Sequence, residues 1–190
     1  MKRIFISICT IILLTPGKNI NAQTADEMKA YMDFVTPGAM HKWLASFDGT
    51  WEAYAVSYMN PAKPDTSKLI QTYSMMLNGL YQEAKITGEM MGMPFEGRSW
   101  SGFDNAKKKF VMTWVDNVSS GTTYLTGDYD AATKTLNLKG TQTNPTNGKD
   151  MNIREVLKVI DNNTYILIMY GDGPDGKEIK FMEGTFKRKK

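Results

Sequence analysis

Few residues in this sequence could act as nucleophiles or metal ligands. His41 is the only histidine and Cys9 the only cysteine among 190 residues. Zinc, copper and non-haem iron centres rely mainly on imidazole and thiolate ligands, so this set of residues suits them poorly. A Ser-His-Asp triad would have to use His41, and the Gly-x-Ser-x-Gly turn of many hydrolases is missing from the sequence. We therefore predict no metal site and no cofactor.

Carboxylates on predicted strands are the remaining candidates for chemistry. Trp114 and Asp116 share a strand face because side chains alternate with period two, and so do Arg98, Trp100 and Asp104. A carboxylate that faced inward would need a partner such as an arginine, since an unpaired buried charge is costly. We expect an interior polar site that binds a ligand and is formed by Tyr73, Glu83, Arg98, Trp100, Trp114 and Asp116.

Such a site leaves two functions open. It could orient a bound ligand, or it could supply acid/base catalysis through buried carboxylates. The competing interpretation is that these charges cap turns and the ends of the sheet. Three further carboxylates, Asp172, Asp175 and Glu178, lie near a glycine-rich turn, but their spacing does not match a calcium-binding EF-hand loop. We interpret that segment as a hairpin.

These side chains must be positioned by the elements around them, and two predicted helices come first. Apolar residues recur at helical spacing over residues 28–35 and again over residues 40–47. Asp26-Glu27 place acid at the start of the first helix, and Thr36-Pro37 predicts the start of the second. His41 falls beside the apolar face of the second helix, so we expect it to be exposed.

From residue 50 onwards the apolar pattern changes to period two, which is typical of strands. Pairs such as Asn78-Gly79 and Asn147-Gly148 separate these stretches and favour tight hairpins. The predicted strands are Thr50–Met59, Lys68–Met76, Leu80–Met90, Gly97–Asp104, Phe110–Asp116, Thr122–Tyr129, Thr135–Thr141, Met151–Ile160, Thr164–Tyr170 and Glu178–Lys187.

Short strands joined by hairpin-length links, with no helices between them, predict one antiparallel meander. A sheet this long tends to close, because closure removes its exposed edges. We expect a mainly β fold, a single antiparallel up-and-down β-barrel of about ten strands with two short N-terminal helices. Barrel closure would make the first and last strands neighbours, so Trp51 would lie under the guanidinium of Arg188.

Two apolar stretches each allow two roles. Residues Tyr165 to Tyr170 are apolar on both strand faces, so either the helices or a second subunit must cover the outer face. The methionine-rich link Met90–Phe95 would be either core filling or a mobile flap over the barrel mouth. A homo-oligomer is therefore one of the partners that the sequence allows.

The start of the sequence is typical of a secretory signal peptide. Lys2-Arg3 precede the apolar run Ile4–Leu14, which is too short to span a bilayer, and Ala22 offers a small residue for cleavage. We expect residues 1–22 to be a signal peptide, residues 23–48 a helical segment and residues 49–190 the barrel domain. The protein would be exported, periplasmic or secreted, and not inserted in a membrane after cleavage.

The charge balance argues against nucleic acid as a partner. The formal net charge is +3, from 23 basic and 20 acidic residues. This whole excess lies in residues 1–22, where Lys2, Arg3 and Lys18 are basic and no residue is acidic. Phosphate binding needs a concentrated basic surface, which the rest of the chain does not predict.

Several segments resemble a known family. Gly49-Thr50-Trp51 opens the first strand with Gly-x-Trp, and Arg188 closes the last, as in the calycin superfamily of lipocalin-like barrels. Residues 97–105 (GRSWSGFDN), 109–116 (KFVMTWVD), 127–130 (GDYD) and 175–178 (DGKE) resemble the bacterial domain-of-unknown-function 1579 family. The resemblance runs from about residue 39 to residue 189. It implies an often exported calycin-like barrel without established activity or agreed catalytic residues.

We expect a non-catalytic protein that binds a small apolar or amphipathic ligand inside its barrel. At the level of fold, the resemblance extends to nitrobindin and to fatty-acid-binding barrels, which bind haem or lipids. Haem is disfavoured here because the predicted strands hold no axial histidine. One alternative is a cofactor-free hydrolase or isomerase that uses buried carboxylates. The other is an oligomeric or partner-binding module that uses the outer surface of residues 165–170.

Overall fold

The structure is a computed structural model that describes residues 24–190, so the predicted signal peptide lies outside the described residues. Two helices precede ten strands, and every predicted strand is present with its ends moved by a few residues. Their bounds are α1 Ala25–Val35, α2 Ala39–Ala45, β1 Gly49–Ser57, β2 Asp65–Met76, β3 Tyr81–Met90, β4 Met93–Asp104, β5 Lys109–Asp116, β6 Thr123–Asp130, β7 Thr135–Thr143, β8 Asp150–Asp161, β9 Thr164–Asp172 and β10 Glu178–Arg188.

The ten strands form a closed antiparallel barrel, as predicted. Each strand pairs with its neighbours in sequence, and β1 pairs with β10 to close the sheet. Trp51 lies directly opposite Arg188 in this last pairing. The guanidinium carbon of Arg188 lies 4.3 Å from the centroid of the Trp51 ring, so the predicted stacking across the closure is present.

Arg188 also ties the closure to the segment that follows α2. Its guanidinium donates to the carbonyl oxygens of Asp48 and Ser46, each at 2.6 Å, and to that of Asn162 at 3.3 Å. The indole N–H of Trp51 donates to the carbonyl of Phe47 at 2.8 Å. These contacts hold α2 over one end of the barrel, which we call the helix end.

The opposite end, which we call the far end, is formed by hairpin links alone. It contains residues 58–64, 91–92, 117–122, 144–149 and 173–177. Met91 and Gly92 have φ of 52° and 76°, and Met90 pairs directly with Met93 across them. The Met90–Phe95 link is therefore a tight two-residue hairpin and not a long loop.

The two helices contribute unequally to the fold. Helix α2 packs on β2, β3 and β4, and Leu44 is buried there. Helix α1 buries no residue. Its C-terminal end is tied to the barrel by the amide of Asn105, which donates to the carbonyls of Asp33, Phe34 and Thr36 at 2.8–3.1 Å. The barrel therefore holds α1 at one end only.

His41 differs from its predicted exposure, because only 2% of it is accessible. Helix α2 starts after Gly38 rather than at Thr36, and the Gly38 N–H donates to His41 Nδ1 at 3.0 Å. Burial lowers the pKa of His41, and its Nε2 is buried without a hydrogen-bond partner among the described residues. The histidine is therefore a neutral side chain packed between α2 and the barrel.

The outer face of β9 is covered in a way that was not predicted. Ile166, Ile168 and Tyr170 point outward but are only half-buried rather than exposed. Arg154 of β8 lies over the Tyr170 ring, with its guanidinium carbon 3.8 Å from the ring centroid. Long charged side chains can cover apolar surface with their aliphatic stems. Within residues 24–190, cover for Tyr170 thus comes from a neighbouring strand and not from the helices.

Candidate functional site

The inward-facing side chains form two apolar clusters inside the barrel. One surrounds Trp51, Tyr165 and Phe186 near the helix end. The other surrounds Phe110, Leu125 and Ile153. Trp43 and Trp114 pack against both clusters. Most of the interior is therefore aromatic or aliphatic, which is the lining that small apolar ligands require.

Three of the six predicted ligand-binding residues face the interior. Tyr73 packs against the first cluster, and Trp114 against both. The indole N–H of Trp114 donates to Asp116 Oδ2 at 2.8 Å, so Asp116 is held beside the ring at the far end. The structure thus brings Trp114 and Asp116 together, as their shared strand face predicts, and it places Tyr73 towards the helix end.

The other three residues, Glu83, Arg98 and Trp100, lie on the outer face, which contradicts the expected interior position. Trp114 pairs with Ser99, and cross-strand partners share a face, so the residues on either side of Ser99 point outward. Arg98 pairs with Glu83 at 3.5 Å and with Glu96 at 3.1 Å on that surface. The alternation of side chains along each strand correctly predicts which residues share a face. It does not predict which of the two faces points into the barrel.

The inner face of β8 holds a carboxylate that the sequence analysis missed. Ile153, Glu155 and Leu157 alternate along that face, and Glu155 lies opposite Leu138 on β7 and Met169 on β9. The alternation was visible in the sequence, but the opposite face of β8, which carries Val156 and Ile160, is also partly apolar. A mid-strand Glu between apolar residues at spacing two was the available signal.

Glu155 has no partner among the described residues. Within residues 24–190 its carboxylate accepts no hydrogen bond and forms no ion pair, and burial raises its pKa to about 7. An acid in an apolar surrounding loses the hydration that favours its charged form. Glu155 is therefore divided between its protonated and ionised forms near neutral pH.

The side chains around Glu155 keep some accessible surface. Glu155, Leu157, Leu167 and Met169 all face inward, yet each is half-buried rather than fully buried. The carboxylate is nevertheless desolvated enough for its pKa to rise. Because all four side chains point into a closed barrel, the accessible surface that they keep lies on its inner side.

A pair of tyrosine hydroxyls lies near this surface. The hydroxyl oxygens of Tyr73 and Tyr165 are 2.9 Å apart. Burial raises the pKa of both phenols, and the nearby charge of Glu155 raises them further. One hydroxyl donates to the other, so the pair retains one O–H for a further acceptor. Tyr165 is itself held by the Phe186 ring, which stacks on it at 4.5 Å between centroids.

The charges inside the barrel are mostly negative. Every Lys and Arg on the described strands except Arg188 occupies an outward-facing position, and Arg188 is engaged at the helix end. Inward-facing carboxylates are Glu155 near the middle of β8 and, at the far end, Asp116 and Asp65. Asp65 accepts a hydrogen bond from the Met91 N–H at 3.1 Å. A ligand in the interior would thus meet carboxylates without neighbouring cations.

Two clefts border the barrel, and neither is lined by Glu155, Leu157, Leu167 or Met169. One, of about 610 Å³, lies at the helix end between Trp43, Lys134 and Asn162 and reaches the inward-facing Trp51 and Val159. The other, of about 560 Å³, runs over β7 to β10 beside Lys139, Arg154 and Glu178. Arg154 and Glu178 form a bidentate ion pair there, which satisfies both charges. Neither cleft is lined by an unpartnered carboxylate like that of Glu155.

Within residues 24–190, no three His, Cys, Asp or Glu side chains are grouped so that they could hold a metal ion. In the same part of the chain, no helix combines the length and the apolar character needed to cross a bilayer.

Comparisons with known proteins give a family match and several barrels of similar fold. The model of a family described as "Protein of unknown function (DUF1579)" matches residues 36–188. The crystal structure of Rv2717c from M. tuberculosis superposes with a TM-score of 0.62 at 8% identity, covering 82% of this chain and 100% of that one. The S-type phycobiliprotein lyase CPES from Guillardia theta gives 0.56 at 9% identity, with coverage of 84% and 97%. No sequence among the curated proteins matches this chain.

Proposed function

Given that the chain belongs to the DUF1579 family of proteins of unknown function, we propose that it binds a small apolar or amphipathic molecule inside its barrel, without catalysis. A closed barrel of ten strands is compatible with ligand binding, since barrels of this kind can hold one small molecule in their interior. The observation that carries the proposal is the accessible surface that the inward-facing Leu157, Leu167 and Met169 keep around Glu155.

The binding energy would come mainly from apolar burial. Leu157, Leu167 and Met169 would each lose their remaining accessible surface to a ligand, at about 25 cal/mol per Å² of apolar surface. Trp114 would close the ligand off towards the far end, because its ring lies across the inner surface of β4. A Cβ on Gly97 would approach that ring to 2.3 Å, so the glycine makes room for the indole.

Native mass spectrometry and solvent extraction of freshly purified protein test this function. We expect a bound small molecule in the extract, and competition between it and an apolar fluorescent probe. Leu167→Trp should fill the interior beside Glu155 and weaken probe binding by about tenfold or more. The matched control is Ile168→Trp, which adds the same ring to the outer face of β9. Absence of any extracted molecule, together with absence of probe binding, would contradict the proposal.

Acid/base catalysis is a second candidate, which Glu155 favours. A pKa of about 7 is well placed for a general base or acid at neutral pH, and the spare Tyr73–Tyr165 hydroxyl could donate to a developing oxyanion. Deuterium exchange next to the carbonyl of a cyclic ketone, followed by NMR, would detect such an activity. Loss of exchange by about 100-fold in Glu155→Gln would support it. Equal rates for both proteins at the level of buffer alone would reject it.

Export to the periplasm or medium also belongs to the proposal. It is supported by Lys2-Arg3, the apolar run Ile4–Leu14 and the small residue Ala22. Fractionation of cells that produce the full chain, with mass measurement of the product, tests it. We expect a chain beginning at Gln23 outside the cytoplasm. A full-length chain that stays with the cytoplasmic fraction would exclude export.

A further inference from the structure

We propose that the ligand of this barrel is a cationic amphiphile, whose protonated amine pairs with Glu155 while its apolar part fills the space beside Leu157 and Leu167. This inference rests on the binding function proposed above and names the chemical class of the ligand. It depends on three features of the interior: an unpartnered carboxylate, the absence of neighbouring cations, and an apolar remainder.

The unpartnered carboxylate is the first feature. Glu155 accepts no hydrogen bond within residues 24–190 and sits between Ile153 and Leu157 on the inner face of β8. A carboxylate has about four acceptor positions, and leaving them empty in an apolar site costs free energy. An ammonium group brings three N–H donors and the opposite charge, so it satisfies this group better than a neutral molecule does.

The distribution of charge is the second feature. No Lys or Arg side chain on the described strands faces the middle of the barrel, and Arg188 is occupied by the carbonyls of Ser46, Asp48 and Asn162. A ligand carboxylate would therefore meet Glu155 without a compensating cation, and like charges at close range repel strongly in a poorly solvated site. Asp116 and Asp65 at the far end extend the negative potential to the rim of the barrel.

The apolar remainder of the site is the third feature. Leu157, Leu167 and Met169 flank Glu155 on β8 and β9. Trp114 lies on the side of the interior that is nearer the far end. The ring of Trp114 also presents a π surface, which attracts cations. A small inorganic cation would leave these apolar surfaces uncovered, whereas an alkyl amine would bury them.

The proposal makes binding depend on pH. The groups that face Glu155 and titrate are Tyr73 of β2 and Tyr165 of β9, and the pKa of each phenol is raised, so both stay neutral through the physiological range. Asp116 of β5 faces inward at the far end. Only the ionised form of Glu155 attracts a cation, so amine affinity should rise as pH increases through about 7.

Calorimetric titration with three head groups on one chain tests the inference. The probes are dodecylamine, dodecanol and dodecanoate, each below its critical micelle concentration. The six-carbon amine, alcohol and carboxylate serve as shorter probes. At about pH 8 we expect the amine to bind at least tenfold more tightly than the alcohol, and the carboxylate more weakly than the alcohol. Glu155→Gln should remove the preference for the amine, so that the amine and the alcohol bind with similar affinity. Glu52→Gln is the matched control, since Glu52 lies on the outer face of β1.

The outcomes separate this inference from the proposed function. If no probe of either length binds the wild-type protein, both the binding function and the amine class are overturned. If the alcohol and the carboxylate bind as tightly as the amine, the barrel binds amphiphiles but the amine class is wrong. If the amine preference survives in Glu155→Gln with an unchanged pH profile, another group provides it, and the role of Glu155 is refuted.

Discussion

Glu155 places a carboxyl group among the apolar side chains of the barrel interior. A strand that alternates Ile153, Glu155 and Leu157 on its inner face places a carboxyl where an aliphatic side chain would stabilise the fold. Burial raises the pKa of this carboxyl to about 7, since no charged partner among residues 24–190 compensates its charge. Keeping this carboxylate unpaired costs free energy of folding, and a ligand of opposite charge could offset that cost.

The first prediction concerns the stability of Glu155→Gln. The folded pKa of about 7 is above the ordinary value of 4.5, so between these values the folded state keeps a proton that the unfolded state has released. Wild-type stability therefore decreases relative to the variant as pH rises through this window. At about pH 8 we expect the variant to be more stable by about 2–3 kcal/mol. Below pH 4.5 the two should be equal.

Urea unfolding at several pH values measures this difference. The lowered pKa of His41 destabilises the fold as pH falls below its ordinary value of 6.5, but this contribution is common to both proteins and cancels. A variant that is less stable than wild type at high pH would mean that Glu155 is stabilised by contacts in the folded protein.

The second prediction is a double-mutant cycle on the tyrosine pair. Tyr73→Phe leaves the hydroxyl of Tyr165 without its partner at 2.9 Å, and Tyr165→Phe does the reverse. Each single variant should lose about 1–2 kcal/mol of unfolding free energy, because a buried polar group is left unsatisfied. The double variant should lose clearly less than the sum. Additive losses in urea unfolding would show that the two hydroxyls do not depend on each other.

At the scale of elements, the closure of the sheet depends on the last strand reaching the first. The β1–β10 pairing runs from Trp51 opposite Arg188 to Ser57 opposite Met182. Arg188 adds hydrogen bonds from the end of β10 to the segment after α2 and to the β8–β9 turn. One side chain thus joins the two ends of the sheet to the helix that covers the barrel.

The third prediction tests this function of Arg188. Arg188→Met keeps an apolar stem over the Trp51 ring but removes the donors to three carbonyl oxygens. We expect a loss of about 2–3 kcal/mol in urea unfolding, as for hydrogen bonds from a charged group. Lys187→Met, the next residue on the outward face, should change stability by less than about 0.5 kcal/mol. Equal effects of the two substitutions would contradict the closure role.

At the scale of the whole molecule, the barrel and α2 form one packed unit to which α1 is attached at one end. The family match begins at residue 36, immediately after α1. Helix α1 has its own capping box between Thr24 and Glu27 but buries no residue, and Met28, Tyr31, Met32 and Phe34 are each about half exposed. Its stability is therefore only weakly coupled to that of the barrel.

The fourth prediction follows from this division. A chain that begins at Thr36 should unfold with nearly the same free energy as one that begins at Gln23, with a difference below about 1 kcal/mol. Probe binding should also be unchanged, since the interior site lies on the strands. Urea unfolding and probe titration of the two chains make the comparison. A loss of several kcal/mol in the shorter chain would mean that α1 contributes to the core.

The sequence by itself determined the number of strands, their order and the closure of the barrel. Period-two alternation and hairpin turns act locally, so they could be recognised without knowing the packing, and the pairing of Trp51 with Arg188 follows from a closed meander. Trp114 and Asp116 were brought together correctly for the same reason, since they are two residues apart on one strand.

Only the tertiary structure decided which face of each strand is the inner one. On β4, Arg98 and Trp100 lie on one face, and Gly97 and Ser99 lie on the other. The Trp114 ring occupies the interior next to Gly97, so only small residues fit on the inner face of β4 there. Glu155 likewise became a candidate binding residue only once the structure showed the apolar neighbours that β7 and β9 place around it. The pKa of a carboxyl group and the lining of a binding site depend on what surrounds a residue in space, and residues distant in sequence provide those surroundings.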